Sequence, residues 1–233
     1  MGKTLTDKVV IVTGAAKGIG LTYALGLAGE DATIVVADIV DGSEVVEKIS
    51  SAGGKAINAP TDVSSEESVK DLVDKVIATF GRVDVLINNA AVFVDVYPLR
   101  DFDEITVSEW DKVMGVNVRG TFLCCKAVAP VMRKQKYGRI INISSSVFWR
   151  GIPGFLHYAS SKAAIIGLTR SLAYELGKDG ITVNSIAPGY TQSDGVVRVQ
   201  NEGLGQDPDE IAAVQCIPRP QVPEDLIGTA VFL

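Results

Sequence analysis

The amino-acid sequence predicts one α/β domain, spanning residues 1–233, in which helices cover both faces of a doubly wound parallel sheet. Short runs of β-branched residues alternate with longer amphipathic stretches, and several of these runs are apolar at successive positions. Uninterrupted apolar runs are typical of parallel strands that are buried on both faces. The alternation of strand and helix implies right-handed crossovers between strands. With 47% apolar residues, the chain can bury a core of this size.

Six segments have the composition of strands, and long helices are expected at about 108–135 and 158–178. After the third strand, apolar residues recur at helical spacing, and Asp62 or Ser64 is expected to cap that helix. The predicted strands comprise residues 8–14, 32–38, 55–62, 83–90, 138–145 and 181–188.

Residues 189–223 break this alternation, because they are rich in glycine and proline and hold few regular apolar repeats. We expect a mobile substrate lid over the carboxyl ends of the strands, where open α/β sheets bind ligands. An ordinary surface insertion is the alternative.

The composition limits the kinds of partner that the protein can bind and the cellular compartment in which we expect it. A net charge of −6, from 28 acidic and 22 basic residues without a basic cluster, argues against nucleic acid or an anionic membrane, so we expect a small-molecule partner. The three cysteines and the single histidine, His157, have no metal-binding or disulfide spacing. His157 is expected at a pocket edge or on a solvated face. We expect a cytoplasmic protein with no membrane anchor, although the opening MGKTLT formally matches the N-myristoylation pattern.

A glycine-rich turn joins the first strand to the first helix. The stretch VTGAAKGIG places Gly14, Gly18 and Gly20 where a backbone turns tightly and approaches a pyrophosphate. Its G-x-x-x-G-x-G spacing departs from the common dinucleotide fingerprint, and a turn needed only for packing is the alternative.

Asp38 ends the second strand, 18 residues after Gly20. A carboxylate there can accept hydrogen bonds from both hydroxyls of an adenine ribose and would repel a 2′-phosphate, so NAD is favoured over NADP. Lys17 is a counter-signal, because a cation in the glycine turn could meet that phosphate. The alternative role for Asp38 is a cap of the helix that starts near Ser43.

Polar residues also follow the later strands. Asp62 and Val63 end the third strand and could edge the adenine, while Asn89 and Ala90 end the fourth. A capping aspartate and a buried turn asparagine are equally good interpretations.

The motifs T-G-x-x-x-G-I-G (13–20), N-N-A (88–90), Y-x-x-x-K (158–162) and P-G (188–189), together with Asn117 and Ser145, occur in a fixed order over nearly the whole chain. In this respect the sequence resembles the classical short-chain dehydrogenase/reductase family. The resemblance implies a Rossmann-type sheet. Family members normally continue beyond TAVFL into a seventh strand, so we expect that final strand to be missing here.

The resemblance implies that Asn117, Ser145, Tyr158 and Lys162 form the catalytic set. Tyr158 would take a proton from a secondary alcohol as hydride leaves for the nicotinamide, Ser145 would donate to the substrate oxygen, and Asn117 would position a water. An ammonium about 4 Å from the phenol at an effective dielectric of about 20 contributes on the order of 4 kcal/mol, or roughly 3 pKa units. Lys162, one helical turn from Tyr158, is therefore expected to lower the pKa of the phenol, and with the positive nicotinamide ring adding to its effect that pKa is expected to approach neutrality.

The PGYTQS loop (188–193) is expected to cover the nicotinamide carboxamide. The residues expected to bind the cofactor are Gly14, Lys17, Gly18, Ile19, Gly20, Asp38, Asp62, Val63, Asn89, Ala90, Tyr158, Lys162, Pro188, Gly189, Thr191 and Ser193.

The residues that flank the catalytic set are mostly apolar or aromatic, with Arg150 the main exception. This favours an aryl or alkyl ketone and its secondary alcohol as substrates. The same aromatics would serve equally well to pack the core. Two segments, 157–188 and 216–233, are also similar to bacterial 1-phenylethanol dehydrogenases. The expected pocket comprises Phe93, Val94, Ser145, Phe148, Trp149, Phe155 and Tyr190.

Two other functions remain open. A 3-oxoacyl thioester reductase is the alternative enzyme, although Asp38 and the net charge speak against its usual preference for NADPH and an acidic carrier. A non-catalytic NAD-binding sensor or scaffold is the other alternative. The resemblance also implies a homotetramer, or a dimer, formed through the two long helices.

Overall fold

A computed structural model describes residues 3–233, so the first two residues of the possible myristoylation pattern lie outside the described residues. Six parallel strands form one sheet with the order β3-β2-β1-β4-β5-β6. All six predicted strands are confirmed to within two residues at each end. Their bounds are Val9–Thr13 (β1), Thr33–Asp38 (β2), Lys55–Pro60 (β3), Val85–Asn88 (β4), Gly138–Ile143 (β5) and Ile181–Ile186 (β6).

Helices follow the strands on both faces of the sheet. The α-helices are Gly18–Gly29 (α1), Ser43–Ser51 (α2), Glu66–Phe80 (α3), Val107–Met114 (α4), Thr121–Gln135 (α5), Val147–Arg150 (α6), Leu156–Leu176 (α7), Asp194–Asn201 (α8), Pro208–Ala213 (α9) and Ile227–Phe232 (α10). Within residues 3–233, no helix is long and apolar enough to cross a membrane.

The core has one layer on each side of the sheet. Val10 and Val12 of β1 pack with buried residues of α1, α2 and α10, whereas Val9 and Ile11 pack with α3, α5 and α7. Successive residues of a strand point to opposite faces. A strand covered on both faces must therefore be apolar at every position, which explains the uninterrupted apolar runs.

The third helix is capped by a residue that the sequence did not indicate. Ser65, not Asp62 or Ser64, is the N-cap of α3, and its hydroxyl accepts a hydrogen bond from the Ser68 amide at 3.3 Å. Asp62 instead accepts from the amide and hydroxyl of Ser64, at 2.9 and 2.7 Å. The prediction was wrong because a short turn separates Asp62 from the helix start.

The first long helix contains a local irregularity. The six residues Gly115–Gly120 form a π-helical segment between α4 and α5, and Asn117 lies within it. Such segments occur often at functional sites because they shift the side chains that follow.

Residues 189–223 contain more regular structure than the sequence suggested, namely α8 and α9. Their start is tied to their end, because Gln192 donates to the Gln221 carbonyl at 2.7 Å and the Thr191 hydroxyl donates to the Gln221 side chain at 2.9 Å. The segment packs on the carboxyl end of the sheet through Gly195, where a side chain would collide with Val94. Its role as a mobile lid stays a prediction.

Candidate active site

The glycine turn is held tightly to the end of β4. Gly14 has a φ of +64°, and its amide donates to the Ala37 carbonyl at 2.7 Å. The Asn89 side chain donates to the Thr13 and Gly14 carbonyls at 3.0 and 3.1 Å. The Asn89 side chain therefore holds the glycine turn in place. The sequence analysis left this structural role open as one of two interpretations.

Gly20 is the most crowded of the three glycines. A Cβ atom there would lie 1.9 Å from the Gly14 carbonyl oxygen and 2.6 Å from the Asn89 side-chain nitrogen. Neither group can move without displacing the turn. Helix α1 begins at Gly18 without a side-chain cap, so its first amides form the kind of site that binds a phosphate group.

Gly20→Ala is expected to lower the free energy of unfolding by about 2–3 kcal/mol, because the added methyl group overpacks fixed backbone. It should also weaken dinucleotide binding at least tenfold by displacing the turn. Chemical denaturation and calorimetric titration measure the two effects.

The matched control is Gly29→Ala at the other end of α1, where a Cβ atom meets nothing within 4 Å. This variant should keep or slightly raise stability, since alanine favours a helix by about 0.5–1 kcal/mol over glycine. Equal behaviour of the two variants would contradict the crowding at Gly20.

Asp38 is buried at the end of β2 and points to the glycine turn. One carboxylate oxygen accepts from the Ala16 amide at 2.9 Å, and the other accepts from the Val40 amide at 3.0 Å. Helix α2 instead has Gly42 as its N-cap, so the alternative that Asp38 caps this helix is wrong. Each oxygen of Asp38 keeps acceptor capacity for a further donor.

The residues that follow β3 and β4 hold the surrounding loops in place. Val63 is buried and packs on the π-helical segment, where Gly120 leaves no room for a side chain. The amide of Ala90 donates to the Thr13 hydroxyl at 3.1 Å. Thr13 also accepts from the Asn89 amide at 3.0 Å, so this threonine joins the two loops. The sequence showed Thr13 only as part of the glycine motif.

Ser145, Tyr158 and Lys162 come together at the carboxyl end of β5. Tyr158 and Lys162 are buried in α7, with exposed fractions of 8% and 3%. The Lys162 ammonium lies 5.6 Å from the centre of the Tyr158 ring and donates to the Ile143 carbonyl at 2.8 Å. The Ser145 hydroxyl accepts from the Val147 amide at 3.2 Å, and its side chain is close enough to the phenol to act on the pKa of Tyr158.

Burial, not the lysine, has the larger effect on the phenol. Burial raises the pKa of Tyr158 well above its usual value, and the Ser145 side chain lowers it only in part. Burial also lowers the pKa of Lys162 to about 8. In the protein alone the effect of burial exceeds that of the lysine, because this ammonium is bound to a main-chain carbonyl and is itself poorly solvated. The expectation that Lys162 and the nicotinamide ring together bring the pKa of Tyr158 towards neutrality stays a prediction.

Asn117 is almost completely buried and links the loop after β4 to α7. Its side-chain oxygen accepts from the Val92 amide at 2.8 Å, and its side-chain nitrogen donates to the Ser161 hydroxyl at 3.0 Å. Ser161 in turn donates to the Tyr158 carbonyl at 2.7 Å. Ser161 was missed by the sequence analysis, since a serine in a helix carries no signal of its own. The role of Asn117 in holding a water stays a prediction.

The strand end and the 188–193 loop are held by main-chain contacts. The Ser144 hydroxyl donates to the Lys162 carbonyl at 2.7 Å, so Ser144 ties the end of β5 to α7. The Ser146 amide donates to the Pro188 carbonyl at 2.9 Å. Ser193, the N-cap of α8, lies opposite Gly18, where an added Cβ would come 4.0 Å from its side chain.

The predicted pocket aromatics separate into two groups. Phe93 and Phe155 pack on the Tyr158 ring, with centroids 5.1 and 6.0 Å away, and Phe155 is only 4% exposed. These two residues thus hold Tyr158 in place. Phe148 and Trp149 instead pack on each other, with ring centroids 3.9 Å apart, and Trp149 is largely exposed.

His157 is 5% exposed, so the expectation of a solvated face is wrong. Burial lowers its pKa, and Glu109 of α4 acts in the opposite direction. The N-terminal turn of α7 packs against α4, which removes this face from solvent. Within residues 3–233, no group of His, Cys, Asp or Glu side chains is placed to hold a metal ion.

The site fits a dinucleotide. The uncapped start of α1 suits a pyrophosphate, and the buried carboxylate of Asp38 suits ribose hydroxyls. Ser145, Tyr158 and Lys162 lie at the same edge of the sheet, beyond β5. These features define the class of the protein as a Rossmann-type oxidoreductase that binds a nicotinamide cofactor.

The comparisons with known proteins identify the family. The profile described as short chain dehydrogenase matches residues 8–203, and the chain belongs to this family. It is 39% identical to a 3-oxoacyl-[acyl-carrier-protein] reductase of Synechocystis sp., an alignment that covers 98% of this chain and 90% of the relative. It is 36% identical to a subunit of (2S)-[(R)-hydroxy(phenyl)methyl]succinyl-CoA dehydrogenase of Thauera aromatica, with 98% and 90% covered.

A solved structure supports the same assignment. A putative NAD(P)-dependent gluconate 5-dehydrogenase of Beutenbergia cavernae, with NADP bound at low occupancy, superimposes with a TM-score of 0.89 at 32% identity. The match covers 100% of this chain and 91% of that one. The classical short-chain dehydrogenase fold and the membership of an oxidoreductase family are therefore confirmed.

Proposed function

We propose that the protein transfers hydride between NAD(H) and a secondary alcohol or ketone with an apolar or aromatic part. The observation that carries this proposal is the convergence of Ser145, Tyr158 and Lys162, the last two buried, at the sheet edge that also holds the glycine turn and Asp38. A bound nicotinamide supplies or accepts the hydride. All other steps fall to side chains of the protein.

Tyr158 is the proton donor and acceptor at the substrate oxygen. Because burial raises its pKa, the phenol is protonated at neutral pH and is ready to give its proton to a ketone that is being reduced. Ser145 donates a second hydrogen bond to the same oxygen and stabilises the negative charge that develops there. Phe93 and Phe155 fix the ring plane, which limits the positions that the phenol oxygen can take.

Lys162 holds the cofactor ribose and provides positive charge beside the phenol. Its bond to the Ile143 carbonyl aims the ammonium at the carboxyl end of β5. The nearby cation stabilises the phenolate, which is the form that accepts the alcohol's proton during oxidation and the form left after the phenol has given its proton to a ketone during reduction. Asn117 and Ser161 act indirectly, because they fix the first turns of α7.

The pH dependence tests this assignment. For oxidation of 1-phenylethanol with NAD, kcat/KM is expected to rise about tenfold per pH unit between about pH 6 and 8, since only the phenolate accepts a proton and its pKa is raised. The rise should weaken above about pH 8, where the Lys162 ammonium, with its pKa lowered to about 8, loses its charge. Ketone reduction should be flat over the same range, because it uses the neutral phenol. Steady-state rates measured in both directions check this, with simple alkanols and sugars as parallel substrates. A pH-independent oxidation, or activity confined to sugars, would contradict the proposal.

The preference for NAD rests on Asp38. Both oxygens of this carboxylate are anchored by main-chain amides, so it is fixed beside the site where the ribose would bind and cannot turn away from a 2′-phosphate. The structurally similar Beutenbergia cavernae protein holds NADP at low occupancy. The preference of this protein for NAD over NADP therefore needs a test of its own.

A 3-oxoacyl thioester reductase is the second candidate, supported by the similarity to the Synechocystis enzyme of that name. The two activities use the same proton donor and differ in what lies beyond the carbonyl. A sensor or scaffold is disfavoured, because it would not need buried Tyr158 and Lys162 beside Ser145.

The 1-phenylethanol dehydrogenase subgroup and a homotetramer or dimer remain proposals. For the assembly, α5 and α7 offer the exposed Phe122 and Tyr174.

A further inference from the structure

A cavity of about 390 Å³ is lined by Ser146, the residue that follows Ser145 in the chain. One wall is the end of β5 with α6, another is the loop after β6, and a third is α9 of the predicted lid. This volume suits a small organic ligand. The lining residues are Ser146, Arg150, Gly189, Tyr190, Ile211, Val214, Gln215 and Gln221.

Arg150 is the one charged residue among these, all of which lie within the described range 3–233. In that range its guanidinium makes no hydrogen bond to, and no ion pair with, another residue. By contrast, Arg82 and Arg219 each form paired contacts with a carboxylate, to Asp84 and Asp225. Arg150 therefore presents its five donors to the cavity and to solvent.

Two uncharged polar side chains of the wall, Gln221 and Tyr190, are already used by the protein. The Gln221 oxygen accepts from the Gly189 amide and the Thr191 hydroxyl, at 3.0 and 2.9 Å. The Tyr190 hydroxyl is bonded to the Gln206 main chain at 3.3 and 3.2 Å. These bonds make the wall rigid and leave Arg150 as the group that selects a ligand by charge.

We propose that Arg150 binds a carboxylate of the substrate, so that the preferred substrate is an oxo acid or hydroxy acid with an apolar chain. The proposal rests on the proposed function, because it places the carbonyl at Ser145 and Tyr158. A planar guanidinium binds a carboxylate through two parallel hydrogen bonds. Ile211 and Val214 contact the apolar part between the two ends.

The distance between Arg150 and Ser145 sets the length of the apolar part of the substrate. Arg150 follows Ser145 by five residues, the last four of which form α6, so at 1.5 Å per residue the segment advances about 7 Å. The long arginine side chain adjusts the span further. A substrate in which two methylene groups separate carbonyl and carboxylate fits this spacing.

β-Benzoylpropionate and its methyl ester test the proposal, because they differ only in the charge of the remote group. With the wild-type enzyme and NADH, the acid is expected to have the lower KM. Arg150→Met should raise the KM for the acid about tenfold and leave its kcat unchanged, as expected for loss of one charge-assisted pair. The KM for the ester should not change in Arg150→Met. In Arg150→Lys the KM for the acid should lie between the values for the wild type and for Arg150→Met.

A control variant removes one positive charge elsewhere. Lys55 is exposed at the start of β3, at the opposite end of the strands, and Lys55→Met should change neither KM. If Arg150 serves only to stabilise the end of α6, Arg150→Met will lower thermal stability and leave the ratio of acid to ester unchanged, which would overturn the proposal.

Calorimetric titration of the enzyme saturated with NAD separates this proposal from the proposed function. If neither ketone is reduced with NADH or NADPH, the proposed function fails. Tighter binding of the acid than of the ester, lost in Arg150→Met, would still support the carboxylate site. Equal binding of acid and ester by the wild type would contradict it.

Discussion

Tyr158→Phe is expected to lower kcat about a thousandfold or more in both directions, since general acid–base catalysis contributes 10²–10⁴-fold. The phenylalanine ring has no proton to give to a ketone oxygen and no oxygen to accept one. Ser145 and Lys162 remain in place, so a residual rate from charge stabilisation is expected. Steady-state rates with a ketone and NADH measure the loss.

The same substitution should leave the fold and the cofactor affinity nearly unchanged. The phenylalanine ring keeps the contacts with Phe93 and Phe155. Calorimetric titration with NAD should give a Kd within about tenfold of the wild type, because one hydrogen bond to a ribose contributes about 0.5–1.5 kcal/mol.

Tyr174→Phe is the matched control, because Tyr174 lies in the same helix and is 95% exposed. It should retain wild-type kcat and KM. Retention of more than a few per cent of activity by Tyr158→Phe, or equal losses in both variants, would refute the assignment of Tyr158 as the proton donor.

Asp38→Ser is expected to change the preference between NAD and NADP by about a hundredfold. Serine removes the charge that opposes a 2′-phosphate and keeps a hydroxyl that can accept from the Ala16 amide. The KM for NAD should rise at least tenfold, as hydrogen bonds to a charged acceptor are worth about 1.5–3 kcal/mol. Ratios of kcat/KM for the two cofactors measure the change.

Asp41→Ser is a suitable control for Asp38→Ser. Asp41 follows closely in the chain, but its carboxylate is exposed and bonded to Ser43 and Asn58, and those bonds lower its pKa. The cofactor ratio should not change. A wild-type enzyme that prefers NADP, or a ratio that Asp38→Ser leaves unaltered, would contradict the role of Asp38.

The strands could be predicted because their environment is uniform. Each lies between two helical layers, so Val10 and Val12 are apolar for one face and Val9 and Ile11 for the other. Strand ends were predicted to within two residues, as the polar residues Asp38 and Asn88 fall where the strands meet solvent or a loop. The glycine turn was predictable for a related reason, because only glycine fits at Gly20.

Properties that depend on contacts remote in sequence were not predictable. The bond from Lys162 to Ile143 joins residues 19 positions apart, and it directs the ammonium to a carbonyl. The pKa of Tyr158 depends on burial by Phe93 and Phe155 as well as on helical spacing. Ser161 gains its role only when α7 meets the π-helical segment, and Thr13 only when the glycine turn meets the end of β4. The N-cap of α3 also could not be predicted, because the short turn that places Ser65 at the helix start has no signal in the sequence pattern.

The central claim is that this site transfers hydride to a ketone while Tyr158 supplies the proton. The most direct measurement uses NADH that carries deuterium at the transferable position of its ring, with mass spectrometry of the alcohol product. We predict one deuterium on the carbinol carbon of the product from the wild type, and almost no product from Tyr158→Phe. Alcohol without deuterium, or labelled alcohol formed equally fast by Tyr158→Phe, would contradict the claim.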